Sequence, residues 1–562
     1  MKKIYLTALL TYFHLAVFSQ EVPFGYFMHE AELNSLETVE LPSFNQAQLV
    51  ADAQANDKLG KMSMYGELID YTATPETHGK WTVDDQGNKV WQLRFRTSGA
   101  LATGIIFNNF YLPEGSSYFI YSADRSWFEG PFYSEENHPS GVYRSADAYG
   151  DEAIFEYLQP ATVVGEPRLE IKNFIHYYRF IYDPREDRGG LNTSEACQVD
   201  VNCPEGVDWV DQRNAVVRLS LVAGNGIGFC SGTVVNNTSG DCKNYILTAM
   251  HCTEDSDATD LLASTTRFRF QKANCGSGSA PQSFQRVGLI LRADSNDNGG
   301  ATGSDFALLE MDDTIPASWD VYYAGWSAVT SAPTVFGAGY RAVCIHHPSG
   351  DAKKISHAST CANGTYPGGS PGNHWRVIWT ETETNWGVTE GGSSGSPIFN
   401  GNKRIIGTLT GGLSFCSDQD AADYYGKMDK HFYGNPNPAN EDLVDWLDPT
   451  NTGLVSFDGA YPNTANAQPC APSTSTEVNE LTFEAFTIFP TMASEILQIQ
   501  IPSGISVKEI RIFDSKGSLV ESYTANINNS IISLNDFNDG VYFISAIEEN
   551  GNFVTKKFTV VK

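Results

Sequence analysis

A serine set between glycines is the first group in this chain that could do chemistry. In Gly392-Ser393-Ser394-Gly395-Ser396-Pro397 the small side chains let backbone N–H groups point at one spot beside the Ser394 hydroxyl. Acyl transfer needs such a spot, because its tetrahedral intermediate carries a negative oxygen that preorganised donors must stabilise. The predicted donors are the N–H groups of Gly392 and Ser394. A flexible surface loop would use the same letters, so the assignment turns on what accompanies it.

Two other segments supply the company. Ile246 to Cys252 is an apolar strand ending in His251 and Cys252, and Gly303-Ser304-Asp305 stands at the mouth of the apolar run Phe306 to Leu309. A serine hydroxyl is a poor nucleophile until an imidazole takes its proton, and a buried carboxylate orients that imidazole. His251, Asp305 and Ser394 are therefore the candidate general base, orienter and nucleophile. Their chain order is that of chymotrypsin-like enzymes rather than of hydrolases with a nucleophile elbow. A rival motif, Asp294-Ser295-Asn296-Asp297-Asn298-Gly299, fits the first half of a calcium loop whose twelfth position falls on Asp305. Its flanks read as strands rather than helices, and the twelfth residue is Asp rather than the bidentate Glu. Residues 294 to 304 are accordingly read as a polar surface turn.

These groups need a scaffold. With 562 residues the chain has room for three or four domains. Lys2 and Lys3 followed by the apolar run Ile4 to Phe18 read as a signal peptide over residues 1–19. No later run is long and apolar enough for a transmembrane helix, so an integral membrane protein is not expected. All ten cysteines lie between Cys197 and Cys470, which marks one disulfide-stapled domain in an exported chain. Residues 20–188 carry strand signals such as Trp91-Gln92-Leu93-Arg94-Phe95-Arg96, fit a β-sandwich, and are read as a propeptide. The polar stretch Asp183 to Gly190 is the exposed place to cut it away. Residues 189–470 form the stapled domain and 471–485 a linker. Residues 486–562 alternate again, as in Leu497-Gln498-Ile499-Gln500-Ile501, and suggest a small β-sandwich. The fold class is thus all-β. A net charge of −30 argues against nucleic acid as a partner, since phosphates demand a basic surface.

Four blocks in order, Ala196 to Gly206, Cys230 to Asn237, Gly387 to Glu390 and Asp445 to Pro449, resemble bacterial lysyl endopeptidases, which are chymotrypsin-like. The resemblance covers residues 196 to about 458. It implies a double β-barrel with the triad in the crevice, and disulfides Cys197–Cys416, Cys203–Cys275 and Cys230–Cys252. The last closes a loop worth around 3 kcal/mol of chain entropy. Cys344 and Cys361 are additional and are expected to pair across adjacent strands, leaving Cys242 and Cys470 to each other by elimination. The tail resembles a type IX secretion sorting domain, through Phe489-Pro490, Asp514 to Gly517, Gly540-Val541-Tyr542 and Lys556-Lys557-Phe558. That implies the secretion machinery as a partner and a secreted or cell-surface location.

Specificity rests on fewer letters. Val388, six residues before the nucleophile, stands where trypsins carry their pocket aspartate, and taken alone it predicts an apolar pocket. The resemblance instead puts the pocket acid at Asp423, after Thr410-Gly411-Gly412, the strand edge that would pair with the substrate backbone. A buried carboxylate there prefers a cationic P1 side chain, which it otherwise lacks as a partner. Lysine-specific relatives have a histidine and a tryptophan where Thr410 and Tyr366 align, which leaves arginine open beside lysine. His346, His347, His357 and His374 are read as structural or surface residues, since no cluster has metal spacing. The expectation is a secreted serine endopeptidase acting on proteins or peptides after basic residues, with neither cofactor nor metal. The alternatives are apolar P1 specificity and a non-catalytic binding protein on a protease scaffold.

Overall fold

A computed structural model describes residues 21–58, 62–179, 193–297, 302–433, 442–463, 469–470, 487–490, 492–500, 507–514, 519–524, 531–548 and 553–562. The predicted signal peptide, the stretch around Arg188 and the linker 471–485 lie outside the described residues. The chain divides into two compact units, residues 1–472 and 473–562.

The first unit begins with a sandwich. One sheet runs Thr38–Glu40, Lys89–Arg96, Glu152–Gln159, Ser117–Ser122, Phe128–Phe132. It faces Ser63–Ala73, Arg168–Tyr177 and Ala102–Tyr111 across a core that includes Trp91, Phe95, Ile105, Phe107, Phe155 and Phe174. Alternation along Trp91, Leu93 and Phe95 puts every second side chain inward, as a strand's period of two requires. The second sheet does not stop at the sandwich. Ser63–Ala73 also pairs with Gly226–Val234, with Ile227 opposite Gly66 and Phe229 opposite Ser63.

Gly226–Val234 belongs to a closed barrel. Val216–Ala223 pairs Gly226–Val234, which pairs Tyr245–Thr248, which pairs Ala307–Met311, which pairs Leu289–Asp294. Gln285–Val287, joined to Leu289 through Gly288 at φ +100°, returns by way of Thr265–Arg267 to Val216–Ala223. A second ring closes in the same way: Ala342–His346, Lys354–Gly364, His374–Trp379, Asp423–Lys427, Ile405–Gly412 and Pro397–Phe399, the last pairing the first. Closure leaves few free sheet edges; residues 226–229, which run beyond the ring, are paired by Ser63–Ala73 instead. Side chains that include Val216, Leu247, Phe306, Trp326, Ile345 and Phe399 form a core common to both rings. The cysteine-stapled region is a double β-barrel.

Four disulfides staple it: Cys197–Cys416, Cys203–Cys275, Cys230–Cys252 and Cys242–Cys470. The expected Cys344–Cys361 bond is absent; both thiols are free and buried. Their strands are adjacent, but Cys344 sits opposite Ser356, five residues short of Cys361. Five residues of strand are about 16 Å, beyond the span of a disulfide.

The second unit is a small sandwich. A three-stranded sheet, Thr487–Phe489, Ile496–Gln500 and Ile531–Ser533, accompanies a five-stranded one containing Val507–Asp514, Gly540–Glu548 and Phe553–Val560. Leu497, Ile499, Ile512 and Ile544 fill its core. Among the described residues no helix is long and apolar enough to cross a membrane.

Candidate active site

The pairing of Tyr245–Thr248 with Ala307–Met311 puts Thr248 opposite Ala307. The turn after one strand therefore meets the turn before the other, and His251 lies beside Asp305. Asp305 Oδ2 is 2.8 Å from His251 Nδ1, and Oδ1 accepts the His251 backbone N–H at 3.0 Å. Both side chains are buried. Burial alone would push the Asp305 carboxyl up, yet the adjoining imidazole holds it below the ordinary aspartate range. Burial would likewise lower His251, but the Asp305 charge and hydrogen bond raise it. With Nδ1–H committed to the carboxylate, Nε2 is the basic nitrogen, and it has no hydrogen-bond partner among the described residues. The Cys230–Cys252 bond fixes the residue after His251 to the neighbouring strand.

Ser394 reaches this pair through its loop. A Cβ on Gly395 would overlap Thr248 Oγ1 and stand 2.6 Å from Ala249 N, so only glycine lets the loop lie on the end of the histidine strand. Ser231 N–H donates to Ser394 O at 2.8 Å. Gly392 has φ +87°, left-handed backbone that favours glycine. Neither the Gly392 nor the Ser394 N–H is taken by a hydrogen bond among the described residues. Ser394 Oγ and His251 Nε2 are not hydrogen-bonded to each other; in unliganded sites such contacts are commonly long and tighten with substrate. Ser393 is fixed from behind by His346 Nδ1 at 2.8 Å. Burial, with Lys354 nearby, lowers that imidazole to about 3, so it is neutral.

The cleft beside Ser394 is lined by Thr389, Glu390, Gly391, Leu409, Gly411, Gly412, Ser414 and Phe415. Asp423 lies fully buried behind Thr389 and Ser414. Its Oδ2 accepts from Trp379 Nε1 at 2.6 Å, Thr389 Oγ1 at 2.7 Å and Ser414 Oγ at 2.6 Å; its Oδ1 accepts from Ser414 N at 3.1 Å. Burial raises its carboxyl above the ordinary range despite these donors. Gly412 pairs directly with Asp423, where any Cβ would overlap the carboxylate.

Several expectations require correction. Thr410 does not line the cleft: the strand bulges between Leu409 and Gly411, and the Thr410 hydroxyl meets His374 Nε2 at 3.1 Å in the interior. Val388 packs in the second barrel's core with Trp379 and Tyr425 rather than in the pocket. Of the two readings offered for His346, His347, His357 and His374, burial of all four agrees with the structural one. The described residues of 294–304 are not simply a surface turn, because Ser295, Asp297 and Ser304 are buried. Ser414 and Thr389 escaped the sequence reading, since hydroxyl residues in loops carry no local signature of a pocket.

One further group enters from the N-terminal sandwich. Asp57, at the end of the helix Gln46–Lys58, lines the same cleft. A Cβ on Gly391 would stand 3.2 Å from Asp57 Oδ1 and 3.1 Å from Ser63 Oγ. Arg179 clamps Asp57 with its two terminal guanidinium nitrogens, at 2.6 and 3.0 Å, a bidentate fork.

The family model described as lysyl endopeptidase, C-terminal domain, matches residues 191–426, and that of the secretion system C-terminal sorting domain matches 487–561. A lysyl endopeptidase of Pseudomonas aeruginosa is 30% identical over 363 residues, covering 61% of this chain and 74% of that protein. Among solved structures, a Glu endopeptidase in complex with MPD is similar at 17% identity and a TM-score of 0.25, over 38% of this chain and 85% of its own. A thermostable serine protease from an extremophilic microorganism gives 15% and 0.26, over 38% and 91%.

Proposed function

This chain belongs to the lysyl endopeptidase family, and we propose that it cleaves peptide bonds after lysine, and secondarily arginine, through an acyl-enzyme on Ser394. It is a secreted serine endopeptidase whose tail is a type IX sorting domain.

In the proposed cycle His251 Nε2 takes the Ser394 Oγ proton as Oγ bonds to the scissile carbonyl carbon. The carbonyl electron pair moves to oxygen, where the Gly392 and Ser394 N–H groups receive it. Collapse breaks the C–N bond, and the proton on Nε2 passes to the leaving amine. Water then repeats the sequence on the acyl-enzyme, releasing the acid. Asp305 remains ionised throughout and stabilises the imidazolium.

The observation that carries the basic specificity is the buried Asp423 carboxylate with four donors beneath the cleft. Ser414 and Thr389 line the cleft and give their hydroxyl protons to Asp423, so their oxygens are left to accept, Ser414 Oγ already from the Thr389 N–H at 3.4 Å, with the negative charge directly behind for a P1 ammonium. A fluorophosphonate should label Ser394 in the mature domain, and cleavage-site profiling on mixed peptides should return lysine at P1. A folded but unlabelled protein would instead favour a non-catalytic binding scaffold, and apolar P1 residues would refute the pocket assignment.

Residues 20–188 act, on this reading, as a propeptide that covers the cleft. The support is Asp57 standing in the cleft against Gly391 under the Arg179 clamp.

A further inference from the structure

Asp305 adopts φ +56°, a left-handed backbone conformation uncommon for a residue with a Cβ. That turn sends both carboxylate oxygens to His251, one to the ring and one to the backbone N–H. Something must hold it. The Asp305 N–H donates to Asp297 Oδ2 at 2.8 Å, and the next N–H, of Phe306, donates to Ser295 Oγ at 3.1 Å. The Ser295 N–H donates back to Phe306 O at 2.9 Å. Asp297 is 2% exposed. Gly303 admits it: a Cβ there would overlap Asp297 Oδ2 and stand 2.9 Å from its Cβ.

We infer that Asp297 is a positioning residue for the hydrolysis, a second carboxylate that fixes the backbone of Asp305 and adds negative potential behind His251. The inference rests on the triad reading. A carboxylate is a stronger acceptor for the Asp305 amide than any neutral group, so it holds the left-handed turn through the moment when the imidazole charges. The groups that act on His251 are Asp305 first, then Glu254 and Asp297, all negative and all favouring the imidazolium. Asp305 also feels His374, whose own proton affinity burial lowers to about 4, so it contributes no charge at neutral pH. Through Asp297 the segment that resembled half of a calcium loop serves the dyad instead of an ion.

Two variants separate the two contributions. Asp297→Asn keeps an oxygen for the Asp305 N–H and removes the charge; Asp297→Ala removes both. Mature enzyme is titrated with a fluorophosphonate so that rates refer to competent sites, and kcat and KM are measured from pH 4 to 9. Asp297→Asn should move the acid limb of kcat/KM downward by about half a unit, with a plateau loss under about tenfold. Asp297→Ala should lower kcat on the order of 10- to 100-fold, as when the partner orienting a catalytic ligand is removed, with KM nearly unchanged. Should the Ala variant fail to fold, the isosteric Asn variant still decides through its pH profile. An unshifted acid limb in Asp297→Asn, beside an inactive His251→Ala, overturns the inference and leaves the triad standing. An active His251→Ala overturns the triad reading and this inference together.

Discussion

Replacing Asp423 by Asn separates charge from shape beneath the cleft. The carboxylate takes three donors on Oδ2 and one, the Ser414 N–H, on Oδ1. An asparagine can turn its oxygen toward the three, but its NH2 then faces the Ser414 N–H, donor against donor. One buried unmatched donor costs about 1–3 kcal/mol, so the variant folds with reduced stability. On the substrate, a P1 ammonium that enters the pocket without its counter-charge loses about 3–5 kcal/mol, the cost of breaking a buried pair. At 1.36 kcal/mol per decade that is about 10²- to nearly 10⁴-fold in kcat/KM. Peptides differing only in Lys or Met at P1 isolate the effect, with rates normalised to fluorophosphonate-reactive sites. The Lys to Met ratio should collapse by that factor. Because burial raises the Asp423 carboxyl, and only its ionised form pairs with the ammonium, wild-type cleavage after Lys should fall as pH drops through that raised value. Peptides with uncharged P1 should lack this acid limb. A fully titrating variant with an unchanged Lys to Met ratio would refute the assignment.

Further outcomes concern processing and thiols. Asp57→Ala removes the carboxylate that stands in the cleft against Gly391, so the uncleaved protein should be labelled faster by a fluorophosphonate; equal rates would exclude Asp57 as a plug. N-terminal sequencing should find wild type starting at Gly189, after Arg188, and Ser394→Ala unprocessed, whereas the same start in both would assign the cut to another protease. Burial raises the Cys344 and Cys361 thiols to about 12, so native protein should resist alkylation while denatured, unreduced protein takes up two equivalents; none after denaturation would mean a fifth disulfide.

The candidate triad could be read from the sequence because each member sits in a turn directly after or before an apolar strand: His251 and Asp305 at strands of the first barrel, Ser394 at a strand of the second. Glycine requirements were legible too: Gly392 and Gly395 are where backbone must bend or approach closely. What escaped depends on register. Thr410 looked like part of the cleft wall until a bulge turned its side chain inward, and one extra residue reverses the facing of a strand. Cys344 and Cys361 looked adjacent because their strands are, though pairing five residues out of step keeps them apart. Asp297 was visible only as a metal-loop letter, since nothing local says that a backbone N–H eight residues later will need an acceptor. The pairing of Ser63–Ala73 with Gly226–Val234 joins segments more than 150 residues apart and leaves no trace in either.

If residues 20–188 are the proposed propeptide, that shared strand bears on how latency ends. While the tether is intact the N-terminal domain meets the barrel at the millimolar effective concentration of a linked partner. Once it is cut and the domain departs, residues 226–229 become an unpaired edge, and Phe229 loses the Tyr65 ring stacked on it at 3.7 Å. An open edge is a template for another strand, and the best-fitting one is the domain just released. Cutting the tether therefore changes the order of the reaction more than its strength, turning a unimolecular closure into a bimolecular one. On that proposal the volume into which the enzyme is released becomes part of the switch: confined at a cell surface, it would stay closed by its own fragment; diluted into the medium, it would open.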